Sequence, residues 1–79
     1  MLTIPYTSSM STRLRNDVFA QRTLKRLTQS ELAEQAGVTR QTVAAIEKES
    51  YSPSAILAFQ LAFVLDIPIN ELFWLEESI

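Results

Sequence analysis

The sequence predicts an all-α fold, five helices in a single domain, and three observations carry that expectation. Two short apolar patterns of helical spacing flank one glycine between Thr28 and Glu47. A third, nearly continuous apolar run from Ala55 to Leu65 follows a Ser-Pro-Ser start. The chain is 79 residues long, enough for one hydrophobic core and not two.

Taken in order, residues 1–12 (MLTIPYTSSMST) show no helical period and read as a flexible arm, with a short extended piece at Leu2–Tyr6. The folded domain is expected over 13–75, with an acidic tail at 76–79. The first helix is expected from Ser11 or Thr12 to Lys25, its inner stripe formed by Leu14, Val18 and Leu24 with Phe19 or Gln21. Leu27 then packs inward ahead of Thr28.

Thr28 caps the second helix, and Glu31 three residues on can reach back to it, the form of a capping box. Leu32, Ala33 and Ala36 face the core. Gly37 stops the helix, because only glycine takes the left-handed conformation without a Cβ penalty. Thr39 caps the third helix, whose Val43 and Ile46 are spaced i,i+3 toward the second. Arg40, Gln41, Ala44 and Ala45 are left over by that core. Arginine and glutamine suit bidentate contacts to guanine and adenine edges, and a small residue such as Ala45 allows close approach or contact with a thymine methyl.

Ser52 and Pro53 suit the N-cap and first position of a fourth helix, Ser54 to Leu65. Leu57, Ala58, Leu61 and Leu65, with Phe59 or Ala62, suffice for its inner face. Ile56 and Phe63 then fall outside, and a helix apolar all round is covered all round. In a domain this small the second cover is another molecule. A last short helix is expected from Ile69 or Asn70 through Leu75, closing the core with Leu72 and Leu75 or Phe73. Trp74 joins Ile56 and Phe63 as a candidate dimer contact.

The order Thr28-Gln29-x-Glu31-Leu32-Ala33, Gly37-Val38, Val43, Ile46-Glu47 resembles the Cro/repressor type of helix-turn-helix, the xenobiotic-response-element family. The likeness extends to Tyr51-Ser52-Pro53-Ser54 and Glu71-Leu72-Phe73, and covers roughly Leu14 to Leu75. It implies a lambda-repressor-like domain with the helix-turn-helix at helices two and three. It further implies a transcriptional regulator, a repressor, bound as a homodimer to double-stranded DNA at a palindromic operator. By the resemblance Arg40, Gln41 and Ala45 face bases, while Gln29, Thr39, Thr42 and Lys48 meet phosphates. The resemblance also implies a structural ion pair between Arg22 and Glu47. The chain departs from the family at Arg26, at Lys48-Glu49-Ser50 and at Asp66, where glycine-containing turns are common. Tyr51 is expected to pack rather than read bases.

Charge supports this reading only in its distribution. The net charge is −2, yet all seven cations lie between Arg13 and Lys48 with four acids, a net of +3. From Glu49 onward there are five acids and no cation, a net of −5. With no Cys and no His, zinc fingers, thiol nucleophiles and imidazole bases are excluded, so no metal and no cofactor are expected. Gly37 is the only glycine, too few for a phosphate-cradling loop. The acids are dispersed, and no enzyme and no small-molecule substrate are expected. No signal-peptide pattern and no span of about 20 apolar residues occur, so a cytoplasmic protein away from membranes is expected. The alternative is a protein-interaction module, antitoxin-like, docking a partner through helices four and five.

Overall fold

A computed structural model describes residues 11–78, and its elements run β1 (Ser11–Asn16), α1 (Val18–Leu24), α2 (Gln29–Ala36), α3 (Arg40–Glu47), α4 (Ala55–Leu65), α5 (Ile69–Leu72) and β2 (Phe73–Ser78). The five helices are present, but the fold is not all-α. β1 and β2 form an antiparallel pair with Ser11 opposite Ser78 and Asn16 opposite Phe73.

This sheet corrects four expectations. The first helix starts at Val18, not at Ser11 or Thr12. The last helix ends at Leu72, and Phe73, Trp74 and Leu75 continue as strand. Ser11 and Thr12, assigned to the arm, lie in β1, and Glu76 and Glu77, assigned to a tail, lie in β2. The rest of the arm, including Leu2–Tyr6, lies outside the described residues.

The physical reason is a period of two. In β1, Leu14 packs against the core while Arg13 and Arg15 point to the opposite face. In β2, buried Phe73 sits on the core side and Trp74 on the other. The pairing partner lies some 60 residues away, so local spacing could not reveal it. Asp17 N–H donates to Leu72 O at 2.9 Å and closes the inner end of the sheet. Asn16 Oδ1 accepts from Val18 N–H at 3.0 Å and caps α1 in place of Asp17.

The late start leaves α1 seven residues, and it buries Val18 and Arg22, one turn apart. Phe19 and Leu24, expected in the stripe, are exposed. The core joins Val18, Leu32, Val43, Ile46, Leu61, Leu65 and Leu72, all essentially inaccessible. On α4 it is Ala62 and not Phe59 that completes the inner face. Leu75 is exposed, and Leu72 with Phe73 closes the core. Tyr51, expected to pack, is about half exposed.

The caps follow the sequence closely. Thr28 Oγ1 accepts from Glu31 N–H at 3.0 Å, and Glu31 Oε1 accepts from Thr28 N–H at 2.8 Å. Thr39 caps α3. The cap of α4 is Ser54 and not Ser52, because Pro53 precedes the helix and Ser54 Oγ takes the Leu57 N–H at 3.1 Å.

Four helix ends share one turn. After α1, α2, α3 and α4, a left-handed residue sends its N–H three residues back, and the next sends its own five back. Gly37 makes one of these turns at φ 75°. Arg26, Glu49 and Asp66 make the others at φ 59°, 62° and 54°. All three lie where the chain departs from the family it resembles. Leu27, Val38 and Ile67, the residues that follow, pack onto the core and hold three of these turns in place.

Candidate nucleic-acid interface

The N-terminus of α3 is presented to the outside by a chain of hydrogen bonds that begins in the core. Arg22 is buried on α1, and its Nε donates to Glu47 Oε2 at 2.7 Å. Its Nη2 donates to Glu47 Oε1 at 3.3 Å and its Nη1 to Leu27 O at 2.8 Å. The side chains of Arg22 and Glu47 are only 10% and 6% exposed. Arg22 Cζ also lies 5.3 Å from the centre of the Phe19 ring. A carboxylate in this setting is tolerable only because each oxygen is occupied.

Glu47 Oε1 takes a further bond, from Gln29 Nε2 at 3.0 Å. Gln29 Oε1 in turn accepts from Arg40 Nη1 at 3.0 Å. The amide of Gln29 thus joins the buried pair to the exposed guanidinium at the head of α3. Arg40 and Gln41 are exposed, and Ala45 is half-buried. Thr39 Oγ1 and Thr42 Oγ1 lie 3.0 Å apart at the same end. Lys48, exposed, sits at the other end as the C-cap. Among the sequence-predicted contacts, Gln29 and Arg40 are therefore brought together, Thr39 and Thr42 likewise, and Lys48 lies apart.

Two positioning groups were not foreseen. Asn16 Nδ2 donates to Ile46 O at 2.9 Å, which fixes the end of α3 to the start of α1. Arg15 Nε donates to Glu49 Oε2 at 2.8 Å, just beyond α3. Both residues lie where a first helix was expected, so the sequence pattern pointed them elsewhere.

Elsewhere, α4 presents Ile56, Phe59 and Phe63, exposed by 71%, 60% and 86%. They line a shallow apolar groove with Ile67 and Ile69. Trp74, grouped with them from sequence, does not line this groove and sits on β2. No helix of the described residues is long and apolar enough to cross a membrane.

A helix held at its rear by a buried ion pair, with a capped and polar leading end, defines a helix-turn-helix domain. A helix-turn-helix family model matches residues 18–72, and the chain belongs to that family, of the Cro/C1 or xenobiotic-response-element type. It is a family of DNA-binding regulators, not an enzyme class. The chain is 42% identical over 65 residues to an uncharacterized HTH-type transcriptional regulator of Methanocaldococcus jannaschii, covering 82% of this chain and 98% of that one. It is 50% identical over 50 residues to the uncharacterized HTH-type transcriptional regulator YgzD of Bacillus subtilis, covering 63% and 76%. The crystal structure of the restriction-modification controller protein C.AhdI from Aeromonas hydrophila superposes with a TM-score of 0.66 at 33% identity, covering 68% of this chain and 82% of that one.

Proposed function

We propose that this protein is a sequence-specific, double-stranded DNA-binding transcriptional repressor that acts as a homodimer on a palindromic operator. The observation that carries this reading is the exposed Arg40–Gln41 end of α3, oriented through Gln29 by the buried Arg22–Glu47 pair.

In this reading α3 enters the major groove. Arg40, Gln41 and Ala45 read base edges, and Gln29, Thr39, Thr42 and Lys48 meet phosphates. The Gln29 backbone N–H opens α2, where unpaired amides and the helix dipole favour an anion. The exposed cations Lys25, Arg26, Arg40 and Lys48 supply the nonspecific attraction. The family membership supports DNA as the partner. The exposed Ile56 and Phe63 support a second copy as the cover of α4, because apolar surface left in water is unfavourable.

Selection of bound sites from random duplexes tests this. A two-fold symmetric site with half-sites about 34 Å apart is expected. Enrichment of no sequence, or of a single asymmetric half-site, removes the homodimeric reading. Transcription from a promoter overlapping that site is expected to fall as protein is added, and a rise makes the protein an activator. The same apolar groove favours a second reading, an interaction module that docks a different protein. In that case no duplex is bound even at low salt, where nonspecific binding is strongest.

A further inference from the structure

Glu49 stands one residue beyond Lys48, the cation assigned above to phosphate, on the loop that leaves α3. A free carboxylate there would repel the DNA backbone. Its charge is taken up by β1: Glu49 Oε2 accepts from Arg15 Nε at 2.8 Å, and Glu49 Oε1 lies 3.8 Å from Arg13 Nε. Arg15 Nη1 also reaches Glu76 Oε1 at 2.8 Å, and Arg13 Nη2 lies 3.7 Å from Glu76 Oε2. The alternation of β1 puts both arginines on one face, and β2 brings Glu76 opposite Arg13. The Glu49 side chain is 22% exposed, against 48% for Glu76. The hydrogen bond and charge of Glu49, and then the charge of Glu76, hold the Arg15 guanidinium further toward its protonated form. A lone surface ion pair contributes little, but two guanidinium groups converging on two carboxylates form a network.

We propose that Arg15, assisted by Arg13, is a positioning residue for DNA binding: it draws the Glu49 carboxylate onto the β-sheet and keeps the loop after the recognition helix attractive to phosphate. The inference rests on the DNA-binding reading. Arg15 acts through Glu49 and does not itself meet the backbone.

The test is a fluorescence-anisotropy titration of a random duplex of about 24 base pairs at low salt, long enough for two half-sites. The full chain is compared with Arg15→Ala, Glu49→Gln and the double variant, each first checked for cooperative melting. Arg15→Ala is expected to weaken binding about three- to tenfold by freeing Glu49. Glu49→Gln alone stays within about twofold of the parent, and the double variant returns to within about twofold of Glu49→Gln. Arg15→Gln gives the same comparison should Arg15→Ala fail to fold. A double variant as weak as Arg15→Ala overturns the proposal and makes Arg15 a direct phosphate contact. Equal affinity of all four proteins also overturns it. If the parent chain binds no duplex at all, the DNA-binding reading itself falls.

Discussion

Arg22 and Glu47 meet at 2.7 Å across the interface of α1 and α3, both nearly inaccessible to water. Arg22 also donates to Glu47 Oε1 and Leu27 O, and Glu47 also accepts from Gln29. Removing one partner leaves a buried charge without compensation. Arg22→Ala is therefore expected to lower unfolding free energy by about 3–5 kcal/mol in urea titrations. Replacing both partners by Met and Leu is expected to cost distinctly less, since no charge is then stranded. A loss below about 1 kcal/mol for Arg22→Ala would show that the pair is effectively solvated.

Gln29 and Arg40 are linked, which changes what each substitution reports. Arg40→Ala is expected to weaken specific binding by about 1–3 kcal/mol and to relax one base position. A uniform loss on all sequences would reassign Arg40 to phosphate. From sequence, Gln29→Ala should weaken cognate and random duplexes alike. The bond from Arg40 Nη1 to Gln29 Oε1 adds a second effect, a looser preference at the same base position. Site selection with the variant checks this, and an unchanged preference leaves Gln29 with phosphate alone.

Phe63 is the most exposed large apolar side chain of the described residues, at 86%. Phe63→Glu places a charge on the proposed face between copies, where desolvation opposes association. Sedimentation is expected to show folded monomers, whose melting temperature no longer rises with protein concentration. A persisting dimer moves the interface elsewhere.

Glu31 gives the fold a measurable pH dependence. Its hydrogen bonds from the backbone and then the side chain of Thr28 hold its carboxyl below the usual carboxylate range. A depressed folded-state pKa contributes stability above the unfolded value. That contribution is lost as pH falls through the folded value. The melting-temperature gap between the parent and Glu31→Gln is thus expected to be largest at neutral pH and to close under acid. A gap independent of pH would place the effect in the neutral cap alone.

Arg26 occupies the left-handed region at φ 59° with an exposed side chain. A β-carbon there costs about 1–2 kcal/mol, and glycine gives back about 0.5–1 kcal/mol through its freer unfolded chain. Arg26→Gly is expected to stabilise by roughly 0.5–1 kcal/mol. A destabilised variant would mean that the Arg26 side chain makes a contact worth more than the backbone strain.

Local pattern was enough to specify the middle of this protein. The caps at Thr28 and Thr39, the stop at Gly37, the buried Leu32, Val43 and Ile46, and the outward Ile56 and Phe63 are all local. Each follows from helical period or from backbone preferences within one turn. The Arg22–Glu47 contact was legible only through family resemblance, because its partners lie 25 residues apart. The two ends, and what they hold, depend on long-range pairing. Thr12–Asn16 and Phe73–Glu77 carry short patterns that fit either a helix turn or a strand. Their mutual pairing, across nearly the whole chain, settles the choice by satisfying backbone groups that neither segment could satisfy alone. That pairing sets Arg13, Arg15 and Glu76 around Glu49, and it delays the start of α1 to Val18. Local spacing reports which face a residue takes once its element is known. It cannot report an element that exists only because a distant strand completes it.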